Sequence, residues 1–198
     1  MTSTTTFIAE LFICGIMSLI WVALGLLTLL GIEWVNPAIL QGWEVPLGAV
    51  GVALAYTMGV LVVETADQLL KGWNERIKNA HVAEGLPTVM HLMIAAGSPR
   101  LEAWFDYSRS RIRVCRSAAL NFTLIALAGL VFVFTHPASV RPHGRLFCAL
   151  TITLAGGSLS LLALAGWRWS TLSFYKMQQR GPELVKAGRK RRSPLEDS

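Results

Sequence analysis

The chain has 198 residues, 53% of them hydrophobic and only 15% charged, with a mean hydropathy of +0.49 and a formal net charge of +6. Soluble domains run at about 45–50% apolar and about 25% charged, so this balance excludes an ordinary soluble domain. Three cysteines, Cys14, Cys115 and Cys148, show no CxxC or Cys/His spacing, which excludes a zinc-ribbon or thioredoxin-like site.

The first apolar run, 11–30, is long enough for a bilayer-spanning helix, which needs about 20 residues. Glu10 at its start is the one charge near it. The run has no basic n-region and no small-x-small cleavage site, so it is expected to persist as a helix rather than leave as a signal peptide. The second run covers 45–63, with Pro46 in its first turn, where a missing N–H costs little. Along it Gly51, Ala55 and Gly59 repeat every four residues, a ridge that permits close helix approach or lines a pore.

Helical character continues past Val63 without a breaker other than Gly72. Leu69, Leu70, Trp73 and Ile77 keep the spacing of one helical face to about Asn79. Gly85 and Pro87 interrupt it, and a short apolar stretch, 88–97, follows. Ser98-Pro99 with Glu102 is a helix-start signal, and the next segment runs unbroken into the third apolar run, 118–135. At 1.5 Å per residue, the second and third helices are each expected to reach about 50 Å, against a hydrocarbon core of about 30 Å. The surplus is predicted to form an antiparallel stalk over 64–116.

The fourth run covers 146–166 and carries Gly156, Gly157, Ser158 and Ser160 near its middle. These small residues suit tight packing or a water-filled path between copies. Residues 1–180 therefore read as one four-helix membrane domain. After it comes a basic tail, 181–198, expected to be disordered from the Gly181-Pro182 break onward.

Sixteen of the eighteen Lys and Arg residues lie in 64–116 and 167–198. The 1–2 connection has none. Positive residues collect on the cytoplasmic side, so both termini and the stalk are expected there, in a bacterial inner membrane. The fold class expected is thus all-α and integral to the membrane, with four transmembrane helices.

The densest cationic cluster is Arg109, Arg111, Arg113 and Arg116. Steps of four and three put Arg109, Arg113 and Arg116 on one side of a helix and Arg111 elsewhere. Glu64 and Asp67 fall at the same depth on the preceding helix. Charges there rarely stay unpaired, so Glu64 and Asp67 are expected to pair with Arg113 and Arg116, as a structural clamp or a gate. Trp73, Trp104 and Tyr107, with Arg109 and Arg111, are the residue types that favour interfaces. In the tail, Lys186, Arg189, Lys190, Arg191 and Arg192 suit anionic lipid or an acidic partner surface. Nucleic acid is not an expected partner.

No nucleophile–base set, nucleotide loop or paired intramembrane carboxylate occurs, so no enzyme, cofactor or metal is expected. The expected function is a homo-oligomeric inner-membrane scaffold or sensor that docks a cytoplasmic partner through stalk and tail. The alternative is a homo-oligomeric ion channel or pore. The layout, though no motif, is shared with small membrane components of bacterial two-gene systems, including defence modules.

Overall fold

In a computed structural model the chain is all-helical, with no strand among the described residues. These are residues 2–31, 42–81, 99–135 and 142–196, with 2–4, 6, 81, 99–100, 142–143 and 181–196 described in backbone alone. The four helices are α1 (Thr2–Leu30), α2 (Glu44–His81), α3 (Pro99–Thr135) and α4 (Pro142–Glu196). Each contains a stretch long and apolar enough to cross a membrane. The apolar stretch at 88–97, the Ser98 cap and the 136–141 connection lie outside the described residues.

Local chemistry sets the helix ends. α1 stops where Gly31 takes φ +83° and donates its N–H to the Leu27 carbonyl at 3.0 Å, a left-handed cap that suits glycine. α2 starts when the Trp43 carbonyl accepts the Leu47 N–H at 2.9 Å. Pro46 falls in that first turn, where its missing N–H has no intrahelical partner to lose. Glu44 lies there too, favourably placed against the helix dipole.

α2 and α3 have 38 and 37 residues, about 55 Å each, well beyond the thickness of a hydrocarbon core. α4 differs from the sequence expectation. The backbone stays helical through Gly181-Pro182 to Glu196, where a break was expected. A proline removes one i→i−4 hydrogen bond and strains the preceding turn. The flanking Gln179, Arg180, Glu183, Leu184 and Lys186 are good helix formers that carry the backbone across it.

Small residues bring the helices together. Gly15 of α1 and Gly59 of α2 face each other so closely that a Cβ on either would strike backbone, at Ala55 and Leu11 respectively. Between α3 and α4, a Cβ on Gly156 would lie 2.5 Å from the Ala126 Cβ. α1 thus bridges α2 and α3, while α4 packs on α3. α2 and α4 meet where Trp73 stacks on Trp167, with ring centroids 6.4 Å apart.

The core is thin. Buried side chains follow the seams: Leu11, Cys14, Ala55, Val62 and Ala119 in the apolar half, and Phe105, Trp167 and Tyr175 in the polar half. Many large apolar residues face outward, among them Leu29, Val45, Leu54, Phe147 and Leu161. Water would penalise such a surface, and lipid does not. The outward apolar surface and the length of the four helices are compatible with a protein that crosses a membrane.

Candidate functional site: a charged cleft and the ion pairs beneath it

The most chemically varied region lies beyond the apolar stretches, where the polar ends of α2, α3 and α4 converge. One face of α2 carries Glu64, Asp67, Lys71, Asn74, Glu75 and Lys78, spaced by three and four residues. With Arg109 of α3 and Phe174, Tyr175 and Gln178 of α4, this face lines a cleft of about 910 Å³. Both signs of charge are present, three acids and three bases. The Tyr175 hydroxyl donates across the cleft to Asn74 Oδ1 at 3.4 Å. Gln68 donates to Glu64 along the helix at 3.3 Å.

Two ion pairs sit beneath the cleft. Arg116 Nη1 bonds Asp67 Oδ1, joining α3 to α2. Arg113 turns the other way. Its Nη2 bonds Glu10 Oε2 at 3.3 Å, joining α3 to α1. Ser110 Oγ donates to the other Glu10 oxygen, and the Arg113 guanidinium lies 5.0 Å from the centre of the Phe7 ring. Of the two acids and two arginines singled out in the sequence, Asp67 and Arg116 are brought together. Arg113 meets Glu10, and Glu64 is exposed at the cleft wall.

The arginine cluster is divided among neighbours. Arg109 faces the cleft, and Arg111 lies on the far side of α3 in a recess of about 90 Å³ with Trp104, Tyr107 and Trp169. Trp104 packs edge-on against Phe105 at 5.2 Å, and Phe105 against Phe174 at 5.5 Å. These aromatics lock α3 to α4, yet Trp73, Tyr107 and Trp169 keep more than half of their surface exposed.

The small residues have unequal surroundings. Ala55 and Gly59 form the α1 contact, and Gly156 forms the α3 contact. Gly51 and Gly157 have open space where a Cβ would go. Ser160 approaches Thr123 Oγ1 at 2.9 Å and donates to the Ala119 carbonyl at 3.1 Å. The side chains of Lys186, Arg189, Lys190, Arg191 and Arg192 fall outside the described residues. Among the described residues no cluster of three His, Cys, Asp or Glu side chains could hold a metal ion.

A second polar assembly lies inside the apolar half, around Asn121, whose presence is plain in the sequence but whose partners are not. Asn121 of α3 is fully buried. Its Oδ1 accepts the Trp21 indole N–H at 3.1 Å, and its Nδ2 donates to the Cys14 carbonyl at 3.0 Å. Ser18 Oγ lies 3.0 Å from Asn121 Oδ1 and 2.8 Å from the Cys14 carbonyl, and its single proton serves one of them at a time. The available signal was Asn121 itself, an amide in an apolar run that demands partners. Glu10 carried a similar signal, as the one charge beside the first run.

No known protein family, curated protein or solved structure matches this chain.

Proposed function

We propose that this chain is a bacterial inner-membrane scaffold or sensor whose stalk and basic tail dock a cytoplasmic protein. Both termini and the polar ends of α2, α3 and α4 lie in the cytoplasm in this reading, following the positive-inside asymmetry. The observation that carries it is the charged cleft of about 910 Å³ at the end of the bundle. Three acids and three bases on fixed helices offer a partner both signs of charge in a defined order. Such patterns confer register and specificity more than raw affinity. The exposed Trp73, Tyr107 and Trp169 beside it supply amphipathic contact area.

Three of the small residues count against a pore, while Gly51 and Gly157 face open space and are neutral between the readings. Ala55, Gly59 and Gly156 are used in contacts within one subunit, so they are not free to line an axis between copies.

The test is site-specific photo-crosslinking from positions 71 and 178 in cells that natively make the protein. A discrete cytoplasmic protein should be captured at both positions, and the double reversal Lys71→Glu, Lys78→Glu should abolish capture from position 178. Adducts with lipid alone, or capture indifferent to the reversal, would sink the docking reading. Alkylation of single cysteines introduced at positions 43 and 75 checks orientation: position 75 should react from the cytoplasmic side and position 43 from the opposite one.

A further inference from the structure

The ion pair beneath the cleft also borders a second space. Around Arg116, α2, α3 and α4 leave a groove of about 150 Å³. Ala66 and Ala119 are too small to fill it, and Leu69, Leu70, Leu120 and Leu164 form its walls. The two hydroxyls in it, Thr123 and Ser160, are turned onto each other and onto the Ala119 carbonyl. The lining is therefore effectively apolar except at one point. Leu69 is well exposed, so the groove opens sideways.

That one point is the Arg116 guanidinium. Arg116 is only 7% exposed, and its Nε is buried without a hydrogen-bond partner. Asp67 holds Nη1, and Nε makes no hydrogen bond. A guanidinium edge is the surface that takes a phosphate through two parallel N–H···O bonds. An unmade hydrogen bond from a buried cation is costly, and such groups normally find an acceptor. Just beyond, one turn past Leu70 and Leu164, the stacked Trp73 and Trp167 lie across α2 and α4. The Trp167 indole N–H is likewise buried without a partner.

An apolar channel open to the side and ending on a buried, incompletely bonded arginine has the chemistry of a lipid site. We infer that the groove holds one anionic phospholipid, its phosphate on the Arg116 guanidinium and part of one acyl chain along Leu120 and Leu164. Arg116 falls just before the third apolar run, at headgroup depth, where a phosphodiester resides. The exposed Arg109 and Arg111 nearby add the field that favours a net negative headgroup. Asp67 and the lipid phosphate then share one cation, so lipid occupancy weakens the hold of α3 on the cleft-lining face of α2. The inference rests on the membrane reading above and is independent of the cytoplasmic partner.

The experiment reconstitutes the full chain in nanodiscs of equal phosphatidylglycerol and phosphatidylcholine and counts retained lipids by native mass spectrometry. One phosphatidylglycerol should be retained in preference to phosphatidylcholine. Arg116→Gln should weaken that retention about tenfold, the size of one charge-assisted hydrogen bond. Arg76→Gln, an equal loss of charge on the exposed face of α2, should leave it unchanged. Asp67→Asn should strengthen it by removing the competing carboxylate, a gain that a damaged fold does not produce. Equal retention of the two lipids, retention that survives Arg116→Gln, or weaker retention in Asp67→Asn would each overturn the inference. Oleate displacing phosphatidylglycerol in a parallel titration would overturn it in favour of a free carboxylate. A chain that enters nanodiscs but selects no lipid refutes this site alone. A chain that remains dispersed without bilayer or detergent refutes the membrane reading with it.

Discussion

Arg116 and Asp67 are bonded to each other, but the two ends of the pair lie in different surroundings. The arginine side chain is 9% exposed and the aspartate side chain 55%. The carboxylate is largely solvated, and the guanidinium depends on it for much of its compensation. Truncating the two residues should therefore have unequal effects.

Asp67→Ala leaves a buried cation with fewer partners and should destabilise the protein by about 1–3 kcal/mol. Arg116→Met leaves a carboxylate that water can solvate and puts a similar volume of apolar side chain between the helices. Its cost should stay within about 1.5 kcal/mol. Thermal unfolding in detergent, followed by circular dichroism, measures both. A larger loss for Arg116→Met than for Asp67→Ala would contradict the picture of a buried cation held by a solvated anion.

Gly15 and Gly59 permit α1 and α2 to touch through backbone. Alanine at either position must push the helices apart, and overpacking of this kind costs about 1–3 kcal/mol, occasionally more. Alanine at Gly51 or Gly157 meets nothing within 4 Å and should be neutral or slightly stabilising, since alanine is the better helix former. The same melts compare the four variants. Equal behaviour of all four would mean that the close α1–α2 crossing is not the native one.

Asn121 links α3 to Trp21, Ser18 and Cys14 of α1. Hydrogen bonds between membrane helices average about 0.6 kcal/mol, so Asn121→Leu should cost about 1–2 kcal/mol in all. Removing the acceptor of the Trp21 indole should also change the fluorescence of that residue in a chain where it is the sole tryptophan. An unchanged spectrum together with an unchanged melt would place Trp21 elsewhere.

Glu10 accepts from both Ser110 and Arg113, and its side chain is 12% exposed. Glu10→Gln preserves the shape and one acceptor oxygen, and it should be tolerated better than Glu10→Ala. Arg113→Lys should lose more than its conserved charge suggests. An ammonium lacks the planar group that both bonds Glu10 and sits over Phe7, the latter contact worth about 0.5–1 kcal/mol. If Arg113→Lys melts like the unsubstituted protein, the contact with Phe7 contributes nothing.

The four apolar runs were legible because the signal is local and additive. A helix that must satisfy its own backbone in lipid needs about 20 apolar residues, and that requirement appears in any window of the sequence. Pro46 in the first turn of α2 and Pro99 at the first described position of α3 were legible for a similar reason, since a proline's missing N–H costs little only within the first turn. The run of α4 past Pro182 was not. A break signal states only the cost of a proline, and the segments on either side decide whether that cost is met.

The site was legible in kind but less so in its pairings. Arginines and acids at one depth called for partners, and Asp67 with Arg116 meets that demand. Arg113 instead bonds Glu10, an acid 103 positions away on α1. Sequence proximity favoured Glu64 because α2 and α3 are consecutive. Nothing in the chain order says that α1 lies between them, and that placement follows from Gly15 meeting Gly59 and from Asn121 reaching Cys14.

The sequence by itself thus determined what each segment is: apolar or charged, long enough to span or too short, rich in basic residues or free of them. Only the tertiary structure decided which segments meet, and with that the charged cleft, the division of the four arginines and the groove at Arg116. The physical reason is that burial and helix length are summed along the chain. A partnership between side chains depends on which helix faces which, and small residues tens of positions apart, such as Gly15 and Gly59, control that.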